Sequence, residues 1–151
     1  LVLGVLLLIA ILGLAALEGS VLELRMAGAQ RNHAVALYAA EAALSEGERF
    51  LRTLTQADLA TFRRNSGGLY EAAGPGAPAW AATVDWTTSG VRALANPLPA
   101  PLSQQPRYLV EYLGPEGDPP TWHRFRVTAK GYGAGGVLEL TRTRVLGLPL
   151  P

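Results

Sequence analysis

Cysteine is absent from these 151 residues, which excludes disulfide staples, thiolate metal sites and cysteine nucleophiles. Histidine occurs only at His33 and His123, and neither has the i, i+4 partner of a helical metal pair, so no metal site is expected. The serines sit in no nucleophile motif, and P-loop and calcium-loop patterns are missing. Catalysis and cofactor binding therefore have no support: no catalytic, cofactor-binding or metal residue is expected, and the chain is not read as an enzyme. Net charge is only +1, so no global field draws nucleic acid or an acidic substrate. Two further absences are positional. No charged residue precedes Glu18, and no proline precedes Pro75.

The first of these leaves Leu1 to Leu17 wholly apolar, built from Leu, Ile, Val and Ala apart from Gly4 and Gly13. As a helix it spans roughly 26 Å, close to the ~30 Å hydrocarbon core of a bilayer. A buried helix would show a polar face, and a domain of this size could hardly enclose it on all sides. A cleaved signal peptide needs a basic leader, and no Lys or Arg occurs before Arg25. The expectation is a retained single-pass anchor. Because the chain opens on Leu1, it is expected either to have been processed or to continue upstream, which leaves the mature N-terminus open. Glu18 and Glu23 offset Arg25 and Arg31, so charge does not set the orientation.

The second absence lets the helix continue to about Thr55. From Leu22 the pattern becomes striped: Leu22, Met26, Ala29, His33, Leu37, Ala40, Leu44, Gly47, Leu51 and Leu54 recur every three or four residues. His33 is expected to pack against the sheet with this stripe. Glu41, Glu46 and Glu48 lie off it beside Arg49 and Arg52, as a salt-bridged solvent face. Gly4, Gly13, Gly19 and Gly28 need an explanation, since glycine costs about 1 kcal/mol relative to Ala within a helix. Close helix packing or local bending would supply one.

Residues 65–78 read as a Gly/Pro loop. Trp80, Ala82, Val84 and Trp86 alternate with Ala81, Thr83 and Asp85, which predicts a strand. Four prolines make residues 89–106 a long extended connection. Strands are predicted at Arg107–Tyr112, Trp122–Lys130 and Val137–Leu146, with a turn at 114–120. Residues 131–136 match G-x-G-x-x-G, but the segment after them is strand-like, so a hairpin loop is the simpler reading. The expected fold class is α+β: one very long N-terminal helix packed on a small antiparallel sheet of about four strands. Its parts are residues 1–21 as membrane or filament-core half, 22–55 as the amphipathic half that packs on the domain, and 56–151 as the β domain.

Alternation puts Arg124, Arg126 and Lys130 on one side of their strand, with Arg142 and Arg144 on the next. Together they are a candidate nucleic-acid face, although an ordinary solvated face fits a chain of this charge better.

The stretch Leu12 to Glu48 resembles the N-terminal region of PilX-like minor pilins of type IV pili. The resemblance is carried by Leu24-Arg25-Met26-Ala27-Gly28 and by Ala39-Ala40-Glu41-Ala42-Ala43-Leu44-Ser45-Glu46-Gly47-Glu48. Phe125 to Val145 is similar to the last hairpin of that class. Resemblance covers about half the chain, and residues 55–106 match nothing named. It implies a pilin-like fold and a structural subunit of a type IV pilus or related filament, with a role in assembly initiation or as an accessory. It also implies cleavage by a prepilin peptidase, passage through an assembly platform, and a place in the bacterial inner membrane before the extracellular pilus. Cell adhesion and a methylated N-terminus go with that class. Partners would be membrane lipid and other pilin subunits through N-terminal helices; nucleic acid is not an expected one. On this reading Leu1, Val5, Leu8, Leu12, Gly13 and Ala16 serve membrane and assembly contacts, and Leu22, Met26, Leu37, Ala40, Leu44 and Leu51 hold helix to sheet. One departure stands out: most pilins carry a glutamate near the fifth mature residue, where this chain has Val5 and no acid before Glu18. That points away from an ordinary major pilin, or equally to a few residues missing upstream. The rival readings are a type II secretion pseudopilin and, from another class, a membrane-stalked nucleic-acid-binding module.

Overall fold

The computed structural model describes residues 2–74, 79–87, 89–99, 101–117, 122–135 and 138–150, with the side chains of residues 8–12 and 14–17 outside that description. Val2–Leu51 form one α-helix, α1, whose 50 residues extend about 75 Å. With no proline in the run, nothing removes a backbone donor before the helix ends. It ends by tightening: the Thr53 and Leu54 amides bond back to Phe50 and Leu51 carbonyls at 3.0 and 3.2 Å. Asp58 then accepts bonds from the Thr55 N–H (2.8 Å) and hydroxyl (2.7 Å), which fixes the turn at Gln56–Asp58 and holds its carboxyl below the usual range. A single-turn helix, α2 (Leu59–Phe62), follows and buries Phe62.

Five strands make one sheet: β1 (Leu69–Glu71), β2 (Arg92–Ala93), β3 (Arg107–Glu116), β4 (Trp122–Tyr132) and β5 (Glu139–Leu148). The order is β1-β3-β4-β5, with β2 also pairing β3. The β2–β3, β3–β4 and β4–β5 pairs are antiparallel, and β1 runs parallel to β3 with Leu69 opposite Val110. The fold is α+β and pilin-like: a long helix lies across one face of a small, mostly antiparallel sheet.

Contact between α1 and the sheet depends on small residues. Ala36, Ala39, Ala40 and Ala43 are fully buried, and Leu44, Gly47 and Leu51 continue the same face. At Gly131 of β4 a Cβ would sit 2.3 Å from both the Ala36 carbonyl oxygen and the Ala40 nitrogen. At Gly47 it would sit 2.5 Å from a Val127 methyl. Two glycines thus let helix and sheet backbones approach closely. Below them Leu51, Leu54, Phe62, Tyr108, Val110, Phe125 and Val127 form the main core, where Phe62 and Phe125 rings lie 5.7 Å apart.

The opposite face of the sheet is covered too. Trp80–Ala82 form a 3-10 turn, not the predicted strand, and residues 79–87 and 89–91 lie over the back of β3 as a flap. There Tyr70, Trp86, Val91 and Leu109 form a second cluster, with Trp80 stacked on Tyr70 at 4.7 Å. The flap is pinned by polar bonds that strand pairing would not give. The Trp80 N–H donates to Glu111 (2.8 Å), and the indole N–H groups of Trp80 and Trp86 donate to the Glu71 and Ala81 carbonyls. Glu111 is fully buried and receives both the Nε and an Nη of Arg126 at 2.8 Å, which raises the guanidinium pKa further. Lys130 lies 5.2 Å above the Trp86 ring.

Further differences from the sequence reading are local. The 65–78 loop contains β1, and its residues 75–78 lie outside the described set. The 114–120 turn falls partly outside it as well, as do Gly136 and Val137 at the β4–β5 connection, where the Gly133 amide bonds Leu138 O at 2.9 Å. His33 is exposed, beside Leu37 and Leu140 at the rim of β5, whereas His123 is buried with its Nδ1 2.9 Å from the Tyr112 hydroxyl. Leu22 and Met26 do not hold the sheet: they are 59% and 56% exposed, because the sheet meets α1 only from about Asn32 onward.

Candidate assembly surface

Above Asn32, α1 stands away from the rest of the chain. Val2, Leu3, Val5, Leu6 and Leu7 are exposed, and so are Val21, Leu22, Leu24 and Met26 nearer the sheet. Removing such side chains from water is worth roughly 1.5–3 kcal/mol each, so a surface of this kind is unstable alone in water and calls for a partner. The four glycines of this half differ in kind from Gly47 and Gly131: a Cβ at Gly4, Gly13, Gly19 or Gly28 would meet nothing within 4 Å. The chain's own fold does not explain them. Of the expected membrane and assembly residues, Val5 and Gly13 are exposed on this helix, while Leu1 and the side chains of Leu8, Leu12 and Ala16 lie outside the described residues. Among the described residues, no helix is long and apolar enough to cross a membrane.

The charges of the lower helix are spent within the subunit. Glu46 pairs with Arg49 at 2.6 Å, one turn away. Glu41 and Glu48 do not join that local set; they reach across to β5, where Arg142 approaches Glu41 at 3.3 Å and Arg144 pairs with Glu48. This network clips the edge strand to the helix.

It also dismantles the candidate nucleic-acid face. Arg142 and Arg144 pair in register with Ala129 and Val127, which puts them on the helix side of the sheet. Arg124, Arg126 and Lys130 point the other way, engaged with Glu116, Glu111 and Glu139. The five cations form two neutralised groups on opposite faces, not one basic surface. No group of three or more potential metal ligands occurs among the described residues.

An open apolar groove of about 320 Å³ separates α1 from the proline-rich connection, between Val35 and Tyr38 on one side and Leu98, Pro99 and Leu102 on the other. Tyr38 is 67% exposed there. The sequence gives no sign of this groove, because the proline-rich residues 89–106 that line one side of it carry no periodic signal.

A long helix, half packed on a sheet and half offering apolar and small residues outward, defines the pilin-like class of filament subunits. Two family models match this chain: PilX N-terminal over residues 1–45, and the C-terminal region of type IV pilus assembly protein PilX over residues 52–145. The chain belongs to the PilX family of type IV pilus assembly proteins, a structural family and not one of enzymes. No curated protein and no solved structure gives a significant match.

Proposed function

We propose that this chain is a minor pilin, held in the inner membrane through residues 1–21 before assembly and packed afterwards, helix against helix, in a filament. Residues 22–55 then join that half to the β domain of residues 56–151. The observation that carries the reading is the protruding half of α1, whose glycines and apolar side chains have no use inside the subunit. The uncharged run Leu1–Leu17 supports a stay in lipid, and its transfer from lipid to a bundle of like helices is nearly neutral in hydrophobic terms. Packing and interhelical contacts then decide whether the subunit stays. Prepilin peptidase and the assembly platform are the partners this route requires.

The test is to shear surface filaments from cells making the native chain and to identify it by mass spectrometry, including its N-terminal peptide. Its presence, at a small ratio to the major subunit, is the expected result. Confinement to the membrane fraction would remove the filament reading.

A further inference from the structure

Arg124, Arg126, Arg142 and Arg144 of the sheet each face a carboxylate of their own chain. Arg92 of β2 does not: among the described residues no acid pairs with it. Its guanidinium is held over the Phe50 ring, 4.3 Å from the centroid, and by two long bonds. In these Nε donates to the Tyr108 hydroxyl at 3.4 Å and Nη1 to the Gly67 carbonyl at 3.5 Å. Both are longer than an ordinary N–H···O bond, and a guanidinium has five donors to place.

Tyr108 is left over in the same way. It is only 3% exposed, with its ring packed against Gly47 of α1. Its hydroxyl accepts from Arg92, while its own proton has no acceptor among the described residues. A phenol both gives and takes, and a buried donor with nothing to give to is uncommon.

These groups line an open cleft of about 380 Å³, between Arg49, Phe50 and Thr53 of α1 on one side and Arg92 and Ala93 on the other. Glu46 and Arg49 also reach it, bound to each other at 2.6 Å. With Arg92 the cleft therefore carries one net positive charge. A carboxylate accepts from a phenol and a guanidinium together and brings one negative charge. A phosphate group brings up to two, more than the cleft offsets. At the mouth Ala93 and Ala95 are small and exposed, so a polypeptide segment can lie along β2 while one side chain enters.

We infer that this cleft binds the carboxylate of an aspartate or glutamate on a neighbouring, different pilus subunit, with Arg92 and Tyr108 donating to its oxygens. This rests on the filament reading above, in which a minor subunit is flanked by subunits of another kind. It adds a contact made by the β domain, not by the protruding helix. The stacking on Phe50 holds the guanidinium in place before the partner arrives, so little of its freedom is lost on binding.

The test uses the chain's single lysine as an internal control. Lys130 lies 2.8 Å from Glu139, and a water-soluble carbodiimide joins such an amine and carboxylate as an amide with loss of water. In sheared filaments carrying Arg92→Lys, the reagent is expected to link position 92 to an Asp or Glu of another subunit, identified by mass spectrometry. A link to a second copy of this chain, a link only to its own Glu46, or no link while Lys130 and Glu139 are joined would overturn the assignment. In parallel, Arg92→Gln should lower the amount of the chain in filaments about tenfold, and Tyr108→Phe severalfold, at unchanged membrane abundance. Tyr108→Phe keeps the ring against Gly47 and removes only the O–H. Native incorporation of that variant would overturn the site even where Arg92→Lys itself fails to assemble. Absence of the unsubstituted chain from filaments would instead overturn the filament reading, and this contact with it.

Discussion

Glycine has two opposite roles in this chain, and only distance separates them. At Gly131 the space for a side chain is already occupied by the backbone of α1, which cannot rotate aside as a side chain can. Gly131→Val should therefore push helix and sheet apart and cost about 3 kcal/mol, the upper range for overpacking. Gly28→Ala meets nothing and gains helix propensity, so it should leave folding unchanged or slightly improved. Chemical denaturation of the full chain in detergent, followed by near-UV circular dichroism, would read both; equal stability of the two variants would refute the close approach. The sequence distinguishes these glycines poorly. Gly47 falls on a legible stripe at helical spacing, but Gly131 sits in a glycine-rich tract that reads as a loop, and its partner lies ninety residues earlier in the chain.

At the scale of elements, α1 was legible because a 3.6-residue period without proline over so long a run admits little else. The flap was not. Its alternation of Trp80, Ala82, Val84 and Trp86 mimics a strand, yet its backbone donors go to a buried carboxylate and to local turns. Such bonds leave no trace in hydropathy. The basic face failed for a related reason: alternation gives the two sides of each strand, while only register tells which side of β5 continues which side of β4. The flap's anchor is testable. Arg126→Met leaves Glu111 buried with the Trp80 amide as its remaining partner, and should cost about 3 kcal/mol. The double variant Glu111→Gln/Arg126→Met removes the stranded charge and keeps an acceptor for Trp80, so most of the loss should return. Tryptophan fluorescence during unfolding reports the flap, and no recovery in the double variant would mean that the ion pair itself stabilises the fold.

At the scale of the molecule, the chain divides its polar chemistry unevenly. Below Asn32, Glu41, Glu46 and Glu48 pair with arginines of the same subunit, and a clipped edge strand and a flap close both faces of the sheet. Above it, charges, large apolar side chains and glycines are left outward. A substitution in that upper half should therefore leave the subunit intact and alter what it joins. Gly13→Leu is the sharpest case, since its Cβ meets nothing in the subunit and leucine is favoured in both helix and lipid. Where helices pack closely in a filament, however, a leucine at position 13 would hold the neighbouring backbone away. The variant is expected to reach the membrane fraction at native abundance and to drop severalfold in sheared filaments, whereas Gly13→Ala should assemble nearly as the native chain does. Quantitative immunoblotting of the two fractions measures both. Loss from membrane and filament in equal proportion would place the defect in insertion and count against close packing at this position.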